Sequence, residues 1–353
     1  MPALPSEGSG QRATAAPREE EGGVEEVAPG IWRITMPLPF ALRWVNAYLL
    51  QGDGEHCLID AGLATPDAEA VMLQGLAAAG ISPAQLSTIV LTHAHPDHIG
   101  LAGRFQQASG AAVLMLGMES QRMLGVWSQE DGQTVESVSA YYIKYGMPPE
   151  ESALEKGSMA ATRRLVTVPR HVTPLEEGQK IRLAGALYEV IWTPGHADGH
   201  MCLWRASEGL LIAGDHILPR ISPNISLYPN SRPNPLQDYL ASLAKVRDLP
   251  ARLVLPGHGL PLSGLAARVD ELARHHQERI EETMQIVAAV QGAVGASAYA
   301  VAKRLFAGRF DSLQNRRFAF AEALAHLEYL RFEGRLAYRE EQGIVLYRVI
   351  RQK

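Results

Sequence analysis

Within the ten residues LTHAHPDHIG, positions 91–100, stand His93, His95, Asp97 and His98, four side chains able to bind a cation. On an extended segment His93 and His95 project to the same side, so both imidazoles can meet one ion. Pro96 suits the first turn of a helix, which puts Asp97 and His98 on adjacent positions that diverge and can meet a second ion. Three more donors follow: His196 in TPGHADGH, Asp215 in LLIAGDH and His258 in LVLPGHG, each leaving the end of an apolar run. Seven nitrogen and oxygen ligands, one carboxylate among them free to bridge, suit two borderline divalent cations, Zn²⁺ first, with Fe or Mn able to use the same donors. The other histidines (His56, His171, His200, His216, His275, His276, His326) read as ordinary core or surface residues.

Two such cations about 3.5–4 Å apart acidify a shared water near neutral pH, so the expected nucleophile is a bridging hydroxide and no side chain need serve as one. Asp97, facing that water, is the expected catalytic residue: it orients the water and later carries its proton. Attack on a carbonyl builds an oxyanion. Asn224, Tyr228 and His216 lie just beyond Asp215 and could face the metals, or simply belong to a surface loop.

The elements that must position these residues begin with closely spaced β-type runs, GIWRITM, VNAYLL and HCLIDAG. A helix-period stretch over 65–79 follows, then a strand over 88–91, a helix opening near His98 and a strand over 111–116. Residues 117–165 read as a helical insertion. Its Trp127 and Tyr142 could wall an apolar acyl pocket or pack the insertion itself. Strands resume over 187–192, 201–204, 210–213 and 252–255, with helices over 236–247 and 264–290. The last part, 291–353, reads as helices followed by a hairpin about Glu-Gln-Gly, a winged-helix pattern. The start, residues 1–27, is rich in Pro, Gly, Ser and Glu and reads as a disordered tail without the apolar core of a secretory signal, which makes the cytoplasm the expected compartment. No run of about 18 apolar residues suggests a membrane span. Cys57 and Cys202 sit in apolar runs and read as core residues.

THAHPDH, TPGHADGH, the AGDH strand end and PGHG resemble the successive motifs of the metallo-β-lactamase superfamily, over about residues 28–290. The resemblance implies an α/β fold, the αββα sandwich. It implies that His93, His95 and His196 hold one metal, that Asp97, His98 and His258 hold the other, and that Asp215 bridges. Asp60 in LIDAG matches the family's early aspartate, which lies beneath the metals and orients their ligands. The chain looks most similar to cytoplasmic hydrolases that carry a helical insertion and a carboxyl-terminal winged helix.

The net charge of −5 is uneven: residues 291–353 carry eleven Lys/Arg against six Asp/Glu, a local +5 that leaves −10 for the rest. Three functions follow as expectations. The first is a dinuclear metal-dependent hydrolase of a small ester, thioester or lactone, its partner a small-molecule acyl substrate. The second is a metal-dependent nuclease acting on RNA or DNA through the basic module. The third is a mononuclear iron dioxygenase of the same fold. For the module itself, packing or homodimerisation is the plainer expectation.

Overall fold

The computed structural model describes residues 22–40, 42–128, 133–310 and 312–350. Most of the expected tail lies outside the described residues, but its end does not: β1 (Gly23–Ala28) pairs antiparallel with β2 (Ile31–Pro37). The expected tail boundary at 27 is therefore too late. GVEEVA is too polar to announce a strand, and it is held by backbone pairing at a sheet edge, where polar side chains cost nothing.

β1 and β2 open a seven-stranded sheet that continues in order through β3 (Trp44–Gly52), β4 (Glu55–Ile59), β5 (Thr88–Val90), β6 (Ala112–Leu116) and β7 (Thr173–Leu175). The second sheet holds β8 (Lys180–Leu183), β9 (Ala186–Trp192), β10 (Met201–Arg205), β11 (Leu210–Gly214) and β12 (Leu253–Pro256), in the order β12-β11-β10-β9-β8. Strand alternation explains the stacking. In β3, Val45, Ala47 and Leu49 face the core beneath α1 (Pro66–Ala78), α2 (Pro96–Ile99) and α3 (Ala102–Ser109), while Tyr48 and Leu50 face the other sheet. In β11, Leu210 and Ile212 meet that inter-sheet core, and Leu211 and Ala213 turn outward to a third core. Strands buried on both faces read as unbroken apolar runs, which is why LLIAG and TIV were conspicuous. The result is the expected αββα sandwich.

The insertion consists of α4 (Gly117–Trp127), α5 (Gln133–Lys144) and α6 (Pro149–Arg163). Helices α7 (Pro235–Val246) and α8 (Leu265–Val290) cover the outer face of the second sheet. Beyond α8 come β13 (Ala296–Ser297), α9 (Ala298–Leu305), α10 (Leu313–Phe332), β14 (Leu336–Glu341) and β15 (Ile344–Val349), whose strands pair in the order β13-β15-β14. The β14–β15 loop is Gln342-Gly343, both at positive φ (51° and 78°), as a tight two-residue hairpin requires. Among the described residues this carboxyl-terminal unit shares its core with the sandwich: Phe320, Leu324, Leu327 and Tyr347 form one apolar cluster with Tyr142 of α5, Tyr239 of α7 and Leu272 of α8. Among the described residues no helix is long and apolar enough to cross a membrane.

Candidate metal centre

Five chain segments converge at the carboxyl ends of β4, β5, β9, β11 and β12, bringing Asp60, the 92–98 loop, His196, Asp215 and His258 together. Among the described residues three groups form: His93, His95 and His196; Asp97, His98 and His258; and His93, His98 and Asp215, the ligand atoms within each lying within 4.8 Å of one another. Asp215 sits at the middle. Its carboxylate oxygens lie 3.4 Å from Nε2 of His98, 3.4 Å from Nε2 of His196 and 3.3 Å from Nε2 of His258. The Asp97 carboxylate stands 3.5 Å from Nε2 of His258 and 4.0 Å from Nε2 of His98.

The orientation of each imidazole is forced by the partner of its other nitrogen. Nδ1 of His98 donates to Asp60 Oδ2 (2.8 Å), Nδ1 of His196 to the Asn224 carbonyl (2.9 Å) and Nδ1 of His258 to the Trp44 carbonyl (2.6 Å). None of these acceptors carries a proton, so each ring keeps its hydrogen on Nδ1 and presents a bare Nε2 to the centre. His93 follows the same rule through Thr92, whose hydroxyl donates to Asp60 Oδ2 (2.9 Å) and lies 3.0 Å from Nδ1 of His93. Asp60 also accepts from the Thr92 amide at 2.8 Å. It holds these contacts from a left-handed backbone, φ 58°, a conformation that costs a non-glycine residue about 1–3 kcal/mol and persists where the surroundings enforce it.

The donor set fits divalent cations on three observations. Nε2 of His98, Nε2 of His196 and Oδ1 of Asp215 are buried without a hydrogen-bond partner, a costly arrangement unless something else satisfies them. Burial drives the His93 imidazole well below its usual range, and that of His95 likewise, leaving both neutral as ligation needs. At His98 burial also opposes the charged form, yet Asp215, Asp60 and Asp97 outweigh it and hold the imidazole well above its usual range. At Asp215 burial would raise the carboxyl, but His258 and His98 overcome this and keep it well below the ordinary carboxylate range. The pocket is thus built around a positive charge, and cations can supply what protons otherwise must.

The supporting residues that the motifs did not reveal lie on other elements. Glu119 of α4, 1% exposed, accepts from the amide of Ala94 (2.9 Å) and the amide of Gly199 (2.8 Å), tying the His93–His98 loop to the His196 loop. His200, fully buried, accepts the amide of Asp215 at 3.1 Å and lies 2.8 Å from the Thr193 hydroxyl, so its bland reading as a satisfied core histidine holds, with Asp215 as the residue it steadies. His200 and Thr193 are the two ends of TPGHADGH itself, whereas no local spacing around Glu119 signals its role.

The centre opens into a cavity of about 1070 Å³. Trp127, Asn224 and Tyr228 line it, as do Met159 of α6 and Phe318 of α10. Two of the candidates do not. Tyr142 is fully buried, edge-on to Phe320 of α10 at 5.0 Å, because its ring turns toward α10 while Val138 of the same helix lines the cavity. His216 is also fully buried, against Tyr239 with ring centroids 5.4 Å apart, because the chain turns inward straight after Asp215. Nor is the Asn224 amide free for an oxyanion: its Nδ2 donates to Glu322 Oε2 at 2.7 Å. Cys57 and Cys202 are free and buried, and burial pushes the Cys202 thiol up to about 12, which leaves it inert.

This sandwich and His/Asp cluster define a metallohydrolase class, and comparison with known proteins gives its family. Residues 43–258 match the model described as the metallo-beta-lactamase superfamily, and residues 283–350 match that of the metallo-beta-lactamase-like C-terminal domain. A metallo-beta-lactamase family protein from Thermus thermophilus is 36% identical, covering 92% of this chain and 100% of its own, with a TM-score of 0.82. The probable metallo-hydrolase YqjP of Bacillus subtilis (strain 168) is 26% identical over 90% of this chain and 98% of its own length. The atrochrysone carboxyl ACP thioesterase dmxR1 of Cryptosporiopsis sp. (strain 8999) is 23% identical over 97% of this chain and 91% of its own. The chain belongs to the metallo-β-lactamase superfamily and is a metal-dependent hydrolase. The carboxyl-terminal match begins inside α8, earlier than the boundary at 291 expected from composition.

Proposed function

We propose that this protein is a dinuclear hydrolase of a small acyl substrate, a thioester before an ester or lactone, with Zn²⁺ as its metal. The observation that carries the reading is the pair of ligand triads flanking Asp215 at the base of a large cavity whose walls mix apolar residues such as Trp127, Met159 and Phe318 with arginines such as Arg122 and Arg163. His93, His95 and His196 would hold one cation and Asp97, His98 and His258 the other, with Asp215 between them. Bound cations supply Lewis acidity and a water that ionises near neutral pH. Asp97 lines the cavity and is the more exposed of the two cluster carboxylates, at 17% against 8% for Asp215, so it is the one to orient the attacking water and take its proton. Tyr228, also on the cavity wall, would donate to the oxyanion. Trp127, Met159 and Phe318 give an acyl chain an apolar wall that excludes water. That a relative is named an atrochrysone carboxyl ACP thioesterase supports the choice of thioester.

The nuclease reading is weakened by how the basic residues are spent. Of the arginines beyond 290, Arg316 pairs with Glu151, Arg331 with Glu328, Arg335 with Glu281 and Arg339 with Glu341. The convergence of the Asp97, His98 and His258 triad argues for a second ion over the mononuclear oxygenase reading. Metal analysis of protein purified without chelator, combined with turnover on acyl thioesters, p-nitrophenyl esters, lactones and RNA, tests the proposal. The expected result is two ions per chain and acyl hydrolysis that chelation removes and Zn²⁺ restores. Asp97→Ala should lower kcat about 10²–10⁴-fold, the range of a positioned acid–base group. Acyl turnover that survives complete metal removal, or cleavage of RNA alone, would overturn it.

A further inference from the structure

The 216–234 loop that follows Asp215 is gripped at two places by helices from beyond the sandwich's last strand. Arg268 of α8 donates from Nε to the Leu218 carbonyl (2.7 Å) and from Nη2 to the Ile221 carbonyl (2.8 Å). From α10, Glu322 accepts the Asn224 amide Nδ2 at 2.7 Å, and the Ala321 carbonyl accepts the Leu227 amide at 3.1 Å. Asn224 is held on its other side too, where Oδ1 accepts from the Ser226 hydroxyl. The backbone carbonyl of this same Asn224 receives Nδ1–H of His196 at 2.9 Å. A chain of contacts therefore runs from the carboxyl-terminal unit, through one loop residue, to a ring whose Nε2 is buried without a partner. Glu322 is itself only 8% exposed, so a carboxylate has been placed there at a desolvation cost that its contact with Asn224 offsets.

We infer that Glu322 is a positioning residue of the metal centre. By clamping the Asn224 side chain it fixes the carbonyl that sets both the tautomer and the tilt of His196, and so the completeness of the His93, His95 and His196 triad. The inference rests on the reading of that triad as a metal site. Partners of this kind typically change metal affinity about 10–100-fold when removed. The carboxyl-terminal unit is on this account part of the catalytic apparatus, contributing a residue that never touches substrate.

The test is Zn²⁺ titration of the full-length chain against a chromophoric chelator, for the wild type, Glu322→Ala, Glu322→Gln, Asn224→Ala and the Glu322→Ala/Asn224→Ala pair, with folding followed by circular dichroism. Two sites are expected in the wild type. Glu322→Ala and Asn224→Ala should each weaken one of them about 10–100-fold and spare the other. The double variant should be no weaker than either single one, because both remove the same contact. Glu322→Gln, whose amide oxygen can still accept from Asn224, should stay within about threefold of wild type, which a purely electrostatic role of the carboxylate would not allow. Folded single variants with wild-type affinity at both sites overturn the inference, as do losses that multiply in the double variant. Should Glu322→Ala fail to fold, Asn224→Ala and Glu322→Gln decide by the same criteria. A wild-type protein that takes up no Zn²⁺ overturns the metal reading itself, an outcome distinct from the others.

Discussion

At Gly257 the backbone runs so close to the centre that a methyl group there would stand 2.2 Å from Oδ1 of Asp215 and 2.8 Å from Cε1 of His98. The obstacle is space, since the backbone at this position is one any residue can adopt. Gly257→Ala should therefore leave the sheets intact yet cost at least one metal ion per chain, read by elemental analysis beside an unchanged circular dichroism spectrum; full metal content would refute it. Glu119 offers the complementary case. Removing its carboxylate in Glu119→Ala orphans two buried amides, each worth about 1–3 kcal/mol, and uncouples the two loops it ties. A drop in Tm together with a kcat reduced about 10–100-fold is expected, and a variant with unaltered kcat would limit Glu119 to a folding role. The residues that could be read from sequence and those that could not divide along this line. HxHxDH announces itself because its donors are neighbours in the chain, whereas Glu119 and Glu322 reach the site by packing, which leaves no local spacing to notice.

At the scale of elements, the apolar runs were the legible part. β10, β11 and β12 are buried on both faces and the sequence marks them plainly, with edges that differ from expectation by a residue or two. β1, β7 and β8 were missed because edge strands can be polar and short. The insertion was recognised as helical, but not which side of it faces the cavity, because helix period locates a face without naming what it meets. One consequence sits on α6. Glu155, 1% exposed and with both oxygens lacking a hydrogen-bond partner, is pushed up to about 7 by burial, against the pull of Arg317 and Arg316, the latter already paired with Glu151 at 2.9 Å. A carboxyl raised in the folded state binds its proton more tightly there than in the unfolded chain. Its contribution is whole below about pH 4.5 and is lost as pH rises through 7. Glu155→Gln should stabilise the fold at pH 8, by at most about 3 kcal/mol and read as a higher Tm, and leave Tm nearly unchanged at pH 5. Equal shifts at both pH values would remove burial of the charge as the cause.

For the whole molecule, the +5 carboxyl-terminal unit looked like a separate electrostatic object, and its composition gave no hint that it shares a core with the sandwich. Phe320, Leu324, Leu327 and Tyr347, all fully buried, close the apolar faces of α5, α7 and α8. At about 1.5–3 kcal/mol for each large apolar side chain, the loss of these four is comparable to the whole stability of a domain. A chain ended at Val290 should accordingly aggregate or show no cooperative thermal transition. A soluble, folded fragment with intact Zn²⁺ uptake would show instead that the sandwich stands alone.

The shared core also sets an order of events during synthesis. The last of the cluster donors is His258, whereas the apolar residue that seals the core, Tyr347, leaves the ribosome 89 residues later. At ordinary elongation rates that interval lasts roughly 5–20 s. Through it, every donor to the centre has been made, while the outer face of α7, and of α8 once it is made, remains bare and Glu322 has yet to reach Asn224. A nascent chain in this state is sticky and its His196 unclamped, so the protein's vulnerability to aggregation, and to capture of the wrong metal, is concentrated between the synthesis of His258 and that of Tyr347.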